Sequence, residues 1–209
     1  MKFGIIKERK NPPDRRVVFT PEELVRLQSE HPEAEIKVES SDIRIFSDDQ
    51  YRNLGLNVTA EMSDCDVLFG VKEVPVDALI PNKKYFFFSH TIKKQPYNRK
   101  LLKAILDKNI ELYDHETIVD ATNHRLIGFG RYAGLVGAYN GFRGFGIKYD
   151  LFTLPKAETL SGKEDLIARL KRQTLPNIKI VLTGHGKVGM GAKEILDGIK
   201  IKQVSVEDF

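Results

Sequence analysis

The chain has 209 residues, 41% of them hydrophobic, and a net charge of +4 spread over 33 basic and 29 acidic side chains. That length can bury a core and suits one large domain, or one domain plus part of another, while the balanced charge describes a mixed solvated surface rather than a nucleic-acid stripe. Cys65 is the single cysteine, which excludes an internal disulfide or a cysteine zinc cluster and makes the cytoplasm the expected compartment. The N-terminus lacks the apolar length of a signal peptide, and no run approaches the roughly 20 apolar residues of a membrane span.

Phe3 to Lys7 predicts a first strand, followed by a charged turn through Pro12, Pro13 and Asp14. Thr20-Pro21-Glu22-Glu23 then predicts a helix start, with Thr20 as cap, proline in the first turn and carboxylates at the positive end. Further apolar runs at Ile36 to Val38, Val67 to Val71, Tyr85 to Phe88, Ile110 to Tyr113 and Leu126 to Phe129 alternate with helical patterns such as Asn98 to Lys108. Alternation of this kind predicts a parallel α/β sheet, flavodoxin- or Rossmann-like.

Between Phe129 and Lys148, Gly134, Gly137, Gly141, Gly144 and Gly146 recur every two to four residues among apolar neighbours. Each glycine costs an isolated helix about 1 kcal/mol against alanine, so the repetition predicts a helix packed very closely against something. An ordinary interior helix and an inter-domain or subunit contact both stay open, and a homo-oligomer is compatible with either. Residues 1–148 are read as an N-terminal substrate domain, 149–177 as linker and helix, and 178–209 as the start of a dinucleotide-binding unit.

That last unit combines the apolar run Ile178 to Leu182 with Gly184-His185-Gly186-Lys187-Val188-Gly189 and a predicted helix. Strand, glycine turn and helix start place backbone N–H groups where a pyrophosphate can approach, with Gly184, Gly186, Lys187, Val188 and Gly189 around it. A second strand, Ile201 to Val206, ends in Glu207-Asp208, where an acid would accept ribose hydroxyls and favour NAD, NADP staying open. Asp208 competes with Glu207 for that position.

Lys72-Glu73 follows the buried run Val67 to Val71, and His90 follows Tyr85 to Ser89. Strand C-terminal ends are where ligands collect in a parallel sheet, so Lys72 and His90 would share one edge if their strands are neighbours. A lysine near other cations and a histidine are both suited to proton exchange. The other histidines, His31, His115, His124 and His185, make no metal-ligand pair at helical spacing, and no metal is expected.

Arg15-Arg16-Val17-Val18-Phe19-Thr20-Pro21, Val71-Lys72-Glu73-Val74-Pro75, Phe88-Ser89-His90-Thr91-Ile92-Lys93-Lys94-Gln95 and Phe129-Gly130-Arg131-Tyr132-Ala133-Gly134-Leu135-Val136-Gly137 resemble, in order, the saccharopine dehydrogenase and alanine dehydrogenase family. The segment around His90 looks most like the saccharopine branch. The resemblance implies an NAD(P)-dependent amino-acid dehydrogenase interconverting saccharopine with lysine and 2-oxoglutarate through an imine. It makes Lys72 and His90 the acid–base pair, Arg16, Lys93 and Arg125 holders of substrate carboxylates, Glu73 a tuner of the lysine and Phe129 a pocket wall.

Arg15 competes with Arg16, and Lys94 with Lys93, for those roles. An alanine dehydrogenase-type enzyme and a non-catalytic ligand-binding module are the alternatives to the saccharopine reading. Set against the family, the chain ends after two strands of the cofactor domain. It is therefore expected to be inactive alone, with residues beyond about Ile178 poorly ordered or covered by another molecule.

Overall fold

A computed structural model describes residues 1–208. They fall into two compact units, the first Met1–Gly128 and the second from Phe129 onward.

The first unit is built on a parallel sheet of β1 (Lys2–Ile5), β2 (Glu35–Glu39), β3 (Asn57–Thr59), β4 (Val67–Phe69), β5 (Lys84–Phe87) and β6 (Glu111–Asp114), in the spatial order β3-β2-β1-β4-β5-β6. Every pairing is parallel, with Phe3 opposite Val67, Val67 opposite Lys84 and Lys84 opposite Glu111. The order reverses between β1 and β4, which opens a crevice beyond the strand C-termini at that point. The α/β class and the parallel sheet are as the sequence predicts.

Two helices show why the sequence folds locally this way. Helix α1 (Pro21–Glu30) begins in a capping box, Thr20 accepting from the Glu23 N–H and the Glu23 carboxylate accepting from the Thr20 N–H. The short α2 (Asp48–Arg52) repeats the device with Ser47 and Gln50. Later, α3 (Arg99–Asp107) buries Leu101, Ala104 and Ile105, spaced three and four apart, into the cluster holding Leu68, Tyr85 and Phe87. Along β5 the side chains alternate: Tyr85 and Phe87 enter that core, while Phe86 stacks between Phe69 and Tyr113 at centroid separations of 4.7 and 4.6 Å.

The predicted run Leu126 to Phe129 forms no strand; the segment is held by a single bridge between Val119 and Arg125, and Phe129 becomes the residue before a helix. In the second unit α4 (Gly130–Lys148), α5 (Lys163–Lys171) and α6 (Lys187–Gly198) pack around Tyr139, Leu154, Leu170 and Ile195. The close packing predicted for the glycine helix occurs at two positions. A Cβ on Gly134 would lie 2.0 Å from the Val188 carbonyl oxygen of α6, and one on Gly146 would lie 2.5 Å from the Phe152 ring. Gly137, Gly141 and Gly144 face open space instead, so the stripe is not one continuous contact.

Neither Ile178 to Leu182 nor Ile201 to Val206 forms a strand, contrary to the sequence reading. A parallel strand exists by pairing with a neighbour, and among the described residues these apolar segments join no ladder. Side chains from the first still pack onto α4 and α6 through Ile178 and Ile180. No helix of the described residues is long and apolar enough to cross a membrane.

Candidate active site

The C-terminal ends of β1, β4, β5 and β6 each deliver a charged group: Glu8, Lys72-Glu73, His90 and Glu116 respectively. β4 and β5 are neighbours, so Lys72 and His90 do emerge on one edge of the sheet. His90 sits in the left-handed region at φ 57° and opens the short turn Thr91–Lys93. Its carbonyl accepts from the Asn98 amide at 3.0 Å.

The His90 ring is held from both sides. Its Nδ1 lies 3.1 Å from Glu116 and 3.0 Å from the Lys93 ammonium, and its Nε2 lies 3.7 Å from Glu73. Glu73 in turn meets the Lys10 ammonium at 3.1 Å. Glu116, whose side chain is only 4% exposed, takes Lys93 at 3.3 Å and Arg125 at 2.5 Å on its other oxygen. Burial alone would raise its pKa, but hydrogen bonds from His90, Lys93 and Arg125 outweigh it and hold the carboxyl down at about 2.

Glu116 was not singled out from sequence, although it obeys the same rule as Lys72 and His90. It follows the apolar run Ile110 to Tyr113 at a strand end, in Asp114-His115-Glu116. Its N–H is fixed by the Asp114 carboxylate, which also accepts from the Ser89 hydroxyl. His115, beside it, is buried.

Among the described residues no hydrogen bond or ion pair within 4 Å involves the Lys72 ammonium. Partial burial, then Arg16 and Lys10, push its pKa down, against the pull of Glu73 and Asp14. Arg16 donates Nε to Asp14 at 2.9 Å and pairs through its second nitrogen as well, which lowers the Asp14 pKa against its burial and raises that of Arg16. The three cations expected to hold substrate carboxylates thus each already touch an internal carboxylate. Lys93 and Arg125 stay 44% and 55% exposed, and Arg125 spends one of its five N–H donors on Glu116. Cys65 is fully buried, and burial followed by Asp64 pushes its thiol up, away from nucleophilic use.

Phe129 stands in the second unit at the cap of α4. There the glycine turn meets the steric demands of a phosphate loop. Gly184 has φ +88°, a Cβ on Gly189 would sit 2.2 Å from the Gly184 carbonyl, and nothing within 4 Å would meet a Cβ on Gly184 or Gly186. Gly186 caps α6 without a side-chain acceptor, and Lys187 and Val188 are its first helical residues. Gly184, His185, Gly189 and Asp208 line one cavity of about 680 Å³. Asp208 itself closes a turn with Ser205 through Oγ contacts of 3.0 and 3.2 Å. A dinucleotide fits this donor set, and no cluster of the described residues could hold a metal ion.

A parallel sheet gathers ionisable groups and cations at its strand C-termini, and a glycine turn follows later in the chain. Residues 4–136 match the alanine dehydrogenase/PNT, N-terminal domain family, and the chain belongs to that family. Among its relatives is an alpha-aminoadipic semialdehyde synthase of Arabidopsis thaliana, 31% identical over 92% of this chain and 20% of that protein. A saccharopine dehydrogenase [NAD(+), L-lysine-forming] of Yarrowia lipolytica is 27% identical over 82% of this chain and 51% of that one. An L-alanine dehydrogenase structure shares the fold at TM-score 0.67 and 19% identity, covering 99% of this chain and 56% of that chain. The chain spans about a fifth of the length of the semialdehyde synthases and about half that of the saccharopine dehydrogenase.

Proposed function

We propose that the chain carries the substrate-side machinery of a saccharopine dehydrogenase-type enzyme, in which saccharopine, water and NAD⁺ give lysine, 2-oxoglutarate, NADH and a proton. The observation that carries this reading is Lys72, a partly desolvated ammonium lacking a direct ion-pair partner, at the same sheet edge as a histidine held between two carboxylates.

A bound nicotinamide would supply the hydride acceptor for the carbon bearing the substrate's secondary amine. Gly184, Gly186, Lys187, Val188 and Gly189 would hold its phosphates and Asp208 its ribose, with NADP as the less favoured alternative. Lys72 takes the proton of the substrate amine, which a lowered pKa favours near neutral pH. His90 moves the proton of the water that adds to the imine, and the C–N bond then breaks with the proton returned to the departing lysine. Glu73 and Glu116 orient the ring.

Arg16, Lys93 and Arg125 would bind the substrate carboxylates. Several cations suit a substrate with several carboxylates better than alanine, and the lysine-forming relatives support the same branch.

Reduction of NAD by the full gene product, followed by absorbance of the reduced nicotinamide with saccharopine and alanine offered separately, tests this. Turnover with saccharopine alone supports the reading. Alanine alone transfers the assignment to the alanine dehydrogenase type. Binding of saccharopine by calorimetry without turnover of either substrate marks a non-catalytic module.

A further inference from the structure

The turn that carries Lys72 has its backbone polar groups satisfied largely by two side chains the mechanism does not use. Glu8, at the end of β1 and 8% exposed, accepts the Val71 N–H on one oxygen at 2.6 Å and the Lys72 N–H on the other at 2.9 Å. His115, just past β6 and 5% exposed, donates Nε2–H to the Gly70 carbonyl at 3.1 Å. Main-chain bonds add two more: Gly70 N–H to the Phe86 carbonyl at 2.8 Å, and Phe88 N–H to the Val71 carbonyl at 3.1 Å. The backbone of the turn is thereby tied to the elements on either side of β4.

We propose that Glu8 and His115 are positioning residues for Lys72, fixing its backbone so that its ammonium stays inside the cationic crevice. The chemistry of each is matched to the task. A carboxylate is the one side chain that accepts two adjacent N–H groups on two oxygens, and an isosteric amide would turn an NH₂ toward one of them. A Cβ on Gly70 would come within 3.1 Å of Ile6 and 3.5 Å of the Glu8 carboxylate, so the turn is also packed tightly around Glu8. With Nε2 donating, the neutral His115 ring leaves Nδ1 as a bare acceptor, and that atom is buried with no hydrogen-bond partner among the described residues. Burial opposes charging the ring. An unpaired buried nitrogen is a cost, and the bond to Gly70 is what the structure gains from placing a histidine there.

This proposal rests on the reading of Lys72 as a proton-transfer group, and its test separates the two. The ε-carbon resonance of Lys72, assigned with Lys72→Arg, is titrated in the 209-residue chain. Arg16, Lys10, Glu73 and Asp14 set the field the ammonium feels, and all four are kept. Glu8→Gln and His115→Phe are expected to raise the Lys72 midpoint. They should also slow its acylation near neutral pH by about threefold or more, because only the free amine reacts. His115→Gln, which keeps a donor near the place of Nε2, is expected to preserve both.

Unchanged Lys72 titration in folded Glu8→Gln and His115→Phe overturns the positioning role. Should Glu8→Gln fail to fold, the His115 pair decides: a phenylalanine effect rescued by glutamine supports the proposal, and equal effects overturn it. A wild-type Lys72 that titrates in the ordinary lysine range overturns the reading of Lys72 itself, and the positioning proposal with it.

Discussion

His90 and Glu116 are joined at 3.1 Å although 26 residues separate them in the chain. The pair is the centre of a charge cluster, because the same carboxylate also receives Lys93 and Arg125. Replacing Glu116 by glutamine leaves Lys93 and Arg125 without this counter-charge and His90 with Glu73 alone. Because Lys93 and Arg125 are about half exposed, water softens the loss, and the expected destabilisation is about 1–2 kcal/mol near neutral pH.

Its pH dependence has a definite sign. The folded pKa of Glu116 is depressed from 4.5 to about 2. The stability it contributes is therefore fully present above 4.5 and disappears as the pH falls through about 2. The gap between wild-type and Glu116→Gln melting temperatures should accordingly close over that interval. A gap that stays constant down to the lower end would mean the carboxylate is not held by its cations.

Much of this was legible before any coordinates. Thr20-Pro21-Glu22-Glu23 specifies a helix start through local chemistry alone, and the helix begins there with Thr20 as its cap. The buried runs ending at Val71 and Ser89 marked strand ends, and β4 and β5 proved to be neighbours. What failed was the assignment of strands that have no neighbour to pair with. Ile178 to Leu182 reads as a strand by composition, yet strand formation requires a ladder, and among the described residues this segment joins none. Glu8 and Lys10 carry no local signal in the sequence, because their contacts to Val71, Lys72 and Glu73 arise only once the β1 and β4 ends lie side by side.

Lys93 and Arg125 offer a second prediction, one that separates substrate binding from internal pairing. Single changes to alanine should weaken saccharopine binding by about 1–3 kcal/mol each, as expected for charge-assisted bonds to carboxylates. Alanine binding, if measurable, should change little. Calorimetry that finds both ligands weakened equally would assign the two cations to holding Glu116 instead.

The glycines of α4 give the last prediction, and it is a contrast within one helix. At Gly134 a methyl group would lie 2.0 Å from the Val188 carbonyl and 2.7 Å from the Ala192 nitrogen, all backbone atoms that cannot rotate away. Gly134→Ala must push α6 off α4, at a cost of about 1–3 kcal/mol. At Gly141 nothing lies within 4 Å of a methyl group. There Gly141→Ala should stabilise the same helix, by up to about 1 kcal/mol, through the smaller entropy loss of alanine. Denaturant unfolding of the two variants therefore should move the midpoint in opposite directions. A matched loss in both would show that the open glycines of α4 are covered in solution.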